Sequence, residues 1–246
     1  MRSRPAALFR PILLMLALGA AQPALAGEIR TAPKAVVELF TSQGCSSCPP
    51  ADAMLSTLGE RPEIIALAYH VDYWDYIGWP DTFGQKAHSD RQRAYAESWG
   101  STRIYTPQMV VNGREGVVAS RKGEVEAALG KASLSVPVTM IEASGMLHVD
   151  IEERPGAPEG VIWLVTFKAR ESVEIERGEN SGKRMDYTHI VTGRQLLGMW
   201  EPETGTHLKL PLAEVLGARA DGAAVLVQSE ENGLPGSILG AASFVH

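Results

Sequence analysis

The chain divides by the period of its apolar positions. Ala35 to Phe40 is a continuous apolar run broken only by Glu38, and Ile64 to Val71 is a second such run; both read as strands buried on two faces. Between them Ala51, Met54, Leu55 and Leu58 recur at the spacing of one helical face, and Gly59 is a stop signal. Strand, helix and strand in this span make a βαβ unit with a parallel sheet. A helix is expected from Ser89 toward Trp99, with Ser89 and Gln92 at capping-box spacing and Gly100 as its end. Gln108–Val111 and Gly116–Ala119 flank Asn112-Gly113, a hairpin signal, and Ser120 is placed to cap a last helix that buries Val125, Ala128 and Leu129.

From Val136 the period shortens. Val136–Ile141, Met146–Ile151, Val161–Lys168, Val173–Glu176, Tyr187–Thr192, Ala224–Ser229 and Ile238–Val245 are strand-like runs joined by Gly- and Pro-rich turns, with one short helical turn at Leu212–Leu216. The pattern is that of an α/β domain over 27–133 (βαβ followed by αββα), then an all-β, sandwich-like domain over 134–246.

The first 26 residues follow neither pattern. Arg2, Arg4 and Arg10 precede an apolar stretch, Ile12 to Ala21, and Ala24-Leu25-Ala26 is a small-x-small cleavage site. This is expected to be a secretory signal peptide, too short to span a bilayer, which puts the mature chain in the periplasm or outside the cell with no membrane attachment after cleavage. The formal charge is −6, and removing three arginines makes the mature chain more acidic, so nucleic acid is not an expected partner. The pattern assigns no oligomeric state.

Only two cysteines occur, Cys45 and Cys48, in a Cys-x-x-Cys between the first strand and the first helix. Pro49 and Pro50 are tolerated there because first-turn amides have no intrahelical acceptor. Thiol–disulfide exchange needs an exposed nucleophilic thiolate and a second thiol that resolves the mixed disulfide; Cys45 suits the first role and Cys48 the second. The same motif could be half a metal site or a structural staple, but a four-ligand zinc site lacks its remaining cysteines. Glu38 lies in the strand leading to the cysteines, where a buried carboxylate would have a raised pKa and could move a proton for Cys48. Asp72, Tyr73, Trp74, Asp75 and Trp79 follow the end of the second strand, so Asp72 and Trp74 are candidate substrate contacts. His70 and His88 are candidate soft-metal ligands, although a histidine in an apolar run is more often a core residue.

Several segments carry a family likeness: Glu38 to Asp52, His70-Val71-Asp72-Tyr73-Trp74-Asp75, Arg91-Gln92-Arg93 with Tyr95, Tyr105-Thr106-Pro107-Gln108, and the loop Arg177-Gly178-Glu179-Asn180-Ser181-Gly182. On these the mature chain resembles the domain-of-unknown-function 1223 family of secreted bacterial proteins, and residues 28–132 resemble the thioredoxin-like superfamily. The resemblance implies a thioredoxin-like fold for the first domain, with Thr106 and a cis Pro107 facing the cysteine pair. Gly44 stands where thioredoxins have Trp, and Ser46-Ser47 where they have Gly-Pro. The expected function is a thiol–disulfide oxidoreductase without cofactor or metal, acting on protein thiols or disulfides through Cys45, Cys48, Pro107 and Glu38. The alternatives are a copper-type soft-metal carrier and an interaction protein with a structural disulfide.

Overall fold

The computed structural model describes residues 27–246, so the expected signal peptide lies outside the described residues. A short strand β1 (Glu28–Arg30) precedes β2 (Ala35–Thr41), α1 (Pro49–Gly59) and β3 (Ile64–His70). A 3₁₀ turn at Asp75–Ile77 leads to α2 (Lys86–Ser98), the hairpin β4 (Gln108–Val111) and β5 (Glu115–Val118), and α3 (Lys122–Gly130). Then follow β6 (Val138–Ala143), β7 (Met146–Ile151), β8 (Gly160–Glu174), β9 (Arg184–Trp200), β10 (Thr206–Pro211), the short α4 (Leu212–Leu216), β11 (Gly222–Glu231) and β12 (Leu234–Val245).

β2 and β3 pair in parallel from Ala35↔Ile64 to Thr41↔His70, and every residue of both is buried. Helices cover both faces of this pair, so neither strand alternates polar and apolar positions. Val37, Leu39, Ala66 and Ala68 point to one face and pack on Ala51, Leu55 and Leu58 of α1. Val36, Phe40, Leu67 and Tyr69 point to the other, where they meet Tyr95 of α2. β4 pairs antiparallel with β2, and β5 with β4. The turn between them places Asn112 and Gly113 at φ 49° and 68°. The Asn112 side chain accepts from the Val36 amide at 2.7 Å and so ties the turn to β2.

α2 begins four residues earlier than the capping-box spacing indicates. Its N-cap is Gln85, whose amide is held by the His70 carbonyl. Ser89 is therefore inside the helix and buried, and its hydroxyl donates to Asp72 instead of capping.

The β-rich half departs from the expected free-standing sandwich. The run at 161–168 and the first two residues of the run at 173–176 are one strand, β8, paired along its length with β9. β9 also joins β3 in parallel at Ala68↔Ile190. One nine-stranded mixed sheet results, in the order β1-β12-β11-β8-β9-β3-β2-β4-β5. The second sheet, β10-β7-β6, is antiparallel. It buries Val138, Met140, Leu147 and Val149 against Leu164, Val225, Val227 and Leu239 of the large sheet, and among the described residues sheet packs on sheet there. Because β8 and β9 are long, their hairpin carries its tip, residues 175–183, across to the end of β2.

Candidate functional site

The end of β2 runs into a tight loop before α1. The Cys45 amide bonds to the Ser42 carbonyl, and the Gly44 amide to the Ser42 hydroxyl. A side chain at Gly44 would meet Trp74 Cβ at 3.2 Å and Ile77 at 3.3 Å, so glycine lets the loop and the aromatic segment approach closely. Cys48 is the N-cap of α1, with prolines in the next two positions. Cys45 and Cys48 form a disulfide with a Cα–Cα separation of 5.4 Å. The Ser47 hydroxyl lies 3.4 Å from Cys45 Sγ, close enough to donate to it.

Thr106 and Pro107 sit beside this loop. Their peptide bond is cis. The Trp74 indole donates to Thr106 Oγ1 at 2.7 Å, so Trp74 bridges the cysteine loop and the Thr-Pro segment. Tyr76 stacks on Trp74 and is 81% exposed, leaving an aromatic surface on this side of the disulfide. Asp72 is placed otherwise: its carboxylate accepts from Ser89, which joins the end of β3 to α2.

Glu38 does not face the cysteines. It projects from the α2 side of β2, with Phe40, while α1 lies on the opposite face. Arg91 Nε donates to Glu38 Oε1 at 2.8 Å, the Tyr95 hydroxyl donates to Oε2, and Gln228 bonds in turn to Arg91 and Tyr95. The expected proton carrier is thus half of a buried ion pair, on the wrong side of the sheet. The two-residue repeat of the strand is the reason.

The carboxylate near Cys48 is Asp52, one helical turn along α1. Spacing of i, i+4 puts the two side chains on the same face. Asp52 is buried; Thr41 Oγ1 donates to its Oδ1 at 2.7 Å, and its Oδ2 has no partner among the described residues. Burial pushes its pKa up to about 7; His70 and the Thr41 bond pull the other way, while Asp81 adds to the rise. His70 Nδ1 pairs with Asp81 Oδ2 at 2.8 Å, and its Nε2 is likewise unpartnered. Burial disfavours the imidazolium, but the charge and hydrogen bond of Asp81 outweigh it and raise the His70 pKa. Phe83 and Tyr187 close over His70 with ring centroids 5.1 and 4.9 Å away. Burial thus holds Asp52 toward its protonated form, while Asp81 holds His70 toward the imidazolium.

His88 is not aimed at the cysteines, since its Nδ1 bonds to the His70 carbonyl at 2.8 Å. Among the described residues no group of three or more His, Cys, Asp or Glu is arranged to hold a metal.

The first cysteine is not exposed, contrary to expectation. Cys45 and Cys48 retain 1% and 0% of their accessible surface, although Ser46 and Ser47 between them are exposed. The tip of the β8–β9 hairpin lies against the cysteine loop. Asn180 is fully buried, and its Nδ2 donates to the carbonyls of Gln43 and Cys45 at 2.9 and 3.0 Å. Glu179 accepts from the Ser46 amide at 3.3 Å. Sequence reading marks this loop only through its family likeness, because nothing in its spacing reports a contact with residues 135 positions away. Asp52 did leave a signal: it lies three residues before Leu55, on the apolar stripe of α1.

Comparison with known proteins agrees with the likeness to the domain-of-unknown-function 1223 family. A crystal structure of a protein from Agrobacterium tumefaciens superposes with a TM-score of 0.78 at 35% identity, covering 87% of this chain and 95% of that one. No curated protein matches. The model of a protein family of unknown function, DUF1223, matches residues 36–228, and the chain belongs to that family.

Proposed function

We propose that the protein is a secreted or periplasmic thiol–disulfide oxidoreductase whose first half is thioredoxin-like. The order β3-β2-β4-β5 with α1 and α2 on opposite faces supports the fold reading, as does Thr106, joined through Trp74 to the cysteine loop. The observation that carries the function is the buried Oδ2 of Asp52, without a partner among the described residues and one turn beyond Cys48, which packing alone does not explain.

In the reducing direction the Cys45 thiolate attacks a substrate disulfide. A Cys45–substrate S–S bond forms, and the other substrate sulfur leaves as a thiolate. Asp52 takes the Cys48 proton, the Cys48 thiolate attacks Cys45 sulfur, and the second substrate thiolate departs as the Cys45–Cys48 bond closes. Two electrons pass to the substrate, and the same steps reversed oxidise a dithiol. Pro107, Thr106 and Trp74 shape the face that a protein substrate would meet.

Turnover of insulin disulfides with dithiothreitol as electron source tests this. Wild type should accelerate the reaction and Cys45→Ser should not; equal rates for the two refute the proposal. A structural disulfide is the second reading, favoured by the burial of both sulfurs. A reduction potential below about −300 mV would support it, a higher one exchange chemistry.

A further inference from the structure

We propose that residues 175–183 are a redox-responsive lid, latched over the disulfide by Asn180 and released when Cys45 becomes a thiolate. The proposal rests on the exchange reading of the same cysteine pair. The lid is an extension of the central sheet: Glu174↔Arg184 is the last β8–β9 pair, and the Ile175 amide bonds to the Lys183 carbonyl at 2.9 Å. Gly178, at φ 78°, lies with its Cα against Trp79, where a Cβ would come 3.3 Å from Trp79 Cβ.

The latch is specific in chemistry. Lys183 Nζ lies 2.8 Å from Asn180 Oδ1, and an ammonium can only donate, so the Asn180 NH₂ is directed at the Gln43 and Cys45 carbonyls. Both acceptors belong to the loop that must admit an incoming sulfur. Cys45 is buried, so a protein thiolate reaches its sulfur only after this loop moves, and Asn180 ties the loop down.

The release follows from competition for amides. Pro49 and Pro50 occupy the first two positions of α1 and have no N–H, so the helix start offers a thiolate few donors. The Cys48 amide is already bound to the Cys45 carbonyl at 3.2 Å. The Ser46 amide is held by the Glu179 carboxylate. Reduction by a dithiol cleaves the S–S bond, adds two electrons and leaves Cys45 as a thiolate with the Cys48 sulfur protonated. Beyond the Ser47 hydroxyl, 3.4 Å from its sulfur, the new anion has the neighbouring Ser46 amide as its donor, and Glu179 already holds that amide. Repulsion disfavours the closed lid, and by linkage the closed lid favours the disulfide.

Hydrogen–deuterium exchange of the oxidised and the reduced protein measures this on the wild-type chain. Amides of residues 175–183 should exchange at least tenfold faster after reduction, with α1 and β3 unchanged. Equal protection of the tip in both states would overturn the proposal. Glu179→Gln keeps an acceptor but removes the charge, and should shrink the difference several-fold. Asn180→Ala should speed cleavage of the disulfide by dithiothreitol about tenfold, the effect of two ordinary hydrogen bonds; an unchanged rate would contradict the latch. Neither measurement depends on turnover. An inactive protein with a redox-sensitive lid would refute the enzyme reading alone, and an active protein with an indifferent lid would refute this inference alone.

Discussion

The two faces of β2 each bury a carboxylate, and the two are handled in opposite ways. On the α2 face, Glu38 is saturated by Arg91 and Tyr95, and Gln228 completes the set by also bonding to the Gly236 carbonyl. Arg91 stacks 4.8 Å above the Tyr95 ring as well. On the α1 face, Asp52 has one partner, and the facing polar groups, His70 and Asp81, leave His70 Nε2 unbonded. A saturated network fixes a structure, since each member loses by moving. An unsaturated one next to a disulfide keeps a group free to change its protonation. On the proposed exchange reading, Glu38 is a structural strut and Asp52 the group free to take a proton.

The largest effect is expected on the saturated face. Arg91→Met leaves Glu38 buried without its cation, and should lower unfolding stability by about 3–5 kcal/mol. Urea denaturation monitored by circular dichroism checks this, and the folded fraction should retain the pH behaviour of the wild-type disulfide. A loss below about 1 kcal/mol would mean that the pair is not the fixed strut described here.

A smaller, pH-dependent effect is expected on the open face. The folded-state pKa of Asp52 is raised to about 7, against about 3.9 in an unfolded chain. The native state binds this proton more tightly than the unfolded state, so stability falls as pH rises between the two values. The contribution is complete below about pH 4 and lost as pH passes through about 7. Asp52→Asn should remove that slope and leave the variant more stable than wild type above neutrality, by a few kcal/mol at about 1.4 per pKa unit. Denaturation series at pH 5 and pH 8 read the crossing; parallel curves would place the Asp52 charge outside the dry site.

The sequence made much of this legible, for identifiable reasons. Continuous apolar runs marked β2 and β3, and helical spacing marked α1, because burial on both faces leaves a strong local signature. Asn112-Gly113 marked its hairpin because few residues accept the required φ. Glu38 turns away from the cysteines because strand periodicity tells which residues share a face, not which face meets α1; Asp72 lies beyond the end of β3, where no periodicity reports its partner. The continuous nine-stranded sheet was invisible because it depends on one long-range pairing, Ala68↔Ile190. The lid was invisible for the same reason: Asn180 in a polar turn looks alike whether it meets solvent or the Cys45 carbonyl.

The pH dependence of single-turnover reaction between the reduced protein and a disulfide substrate tests the central assignment most directly. Wild type should show an inflection near pH 7 in the step that releases the second substrate thiol. Asp52→Asn should lose that inflection and slow the step about 100-fold, while Glu38→Gln keeps the inflection. A wild-type profile in Asp52→Asn, or its loss in Glu38→Gln alone, would contradict the assignment of Asp52 as the group that takes the Cys48 proton.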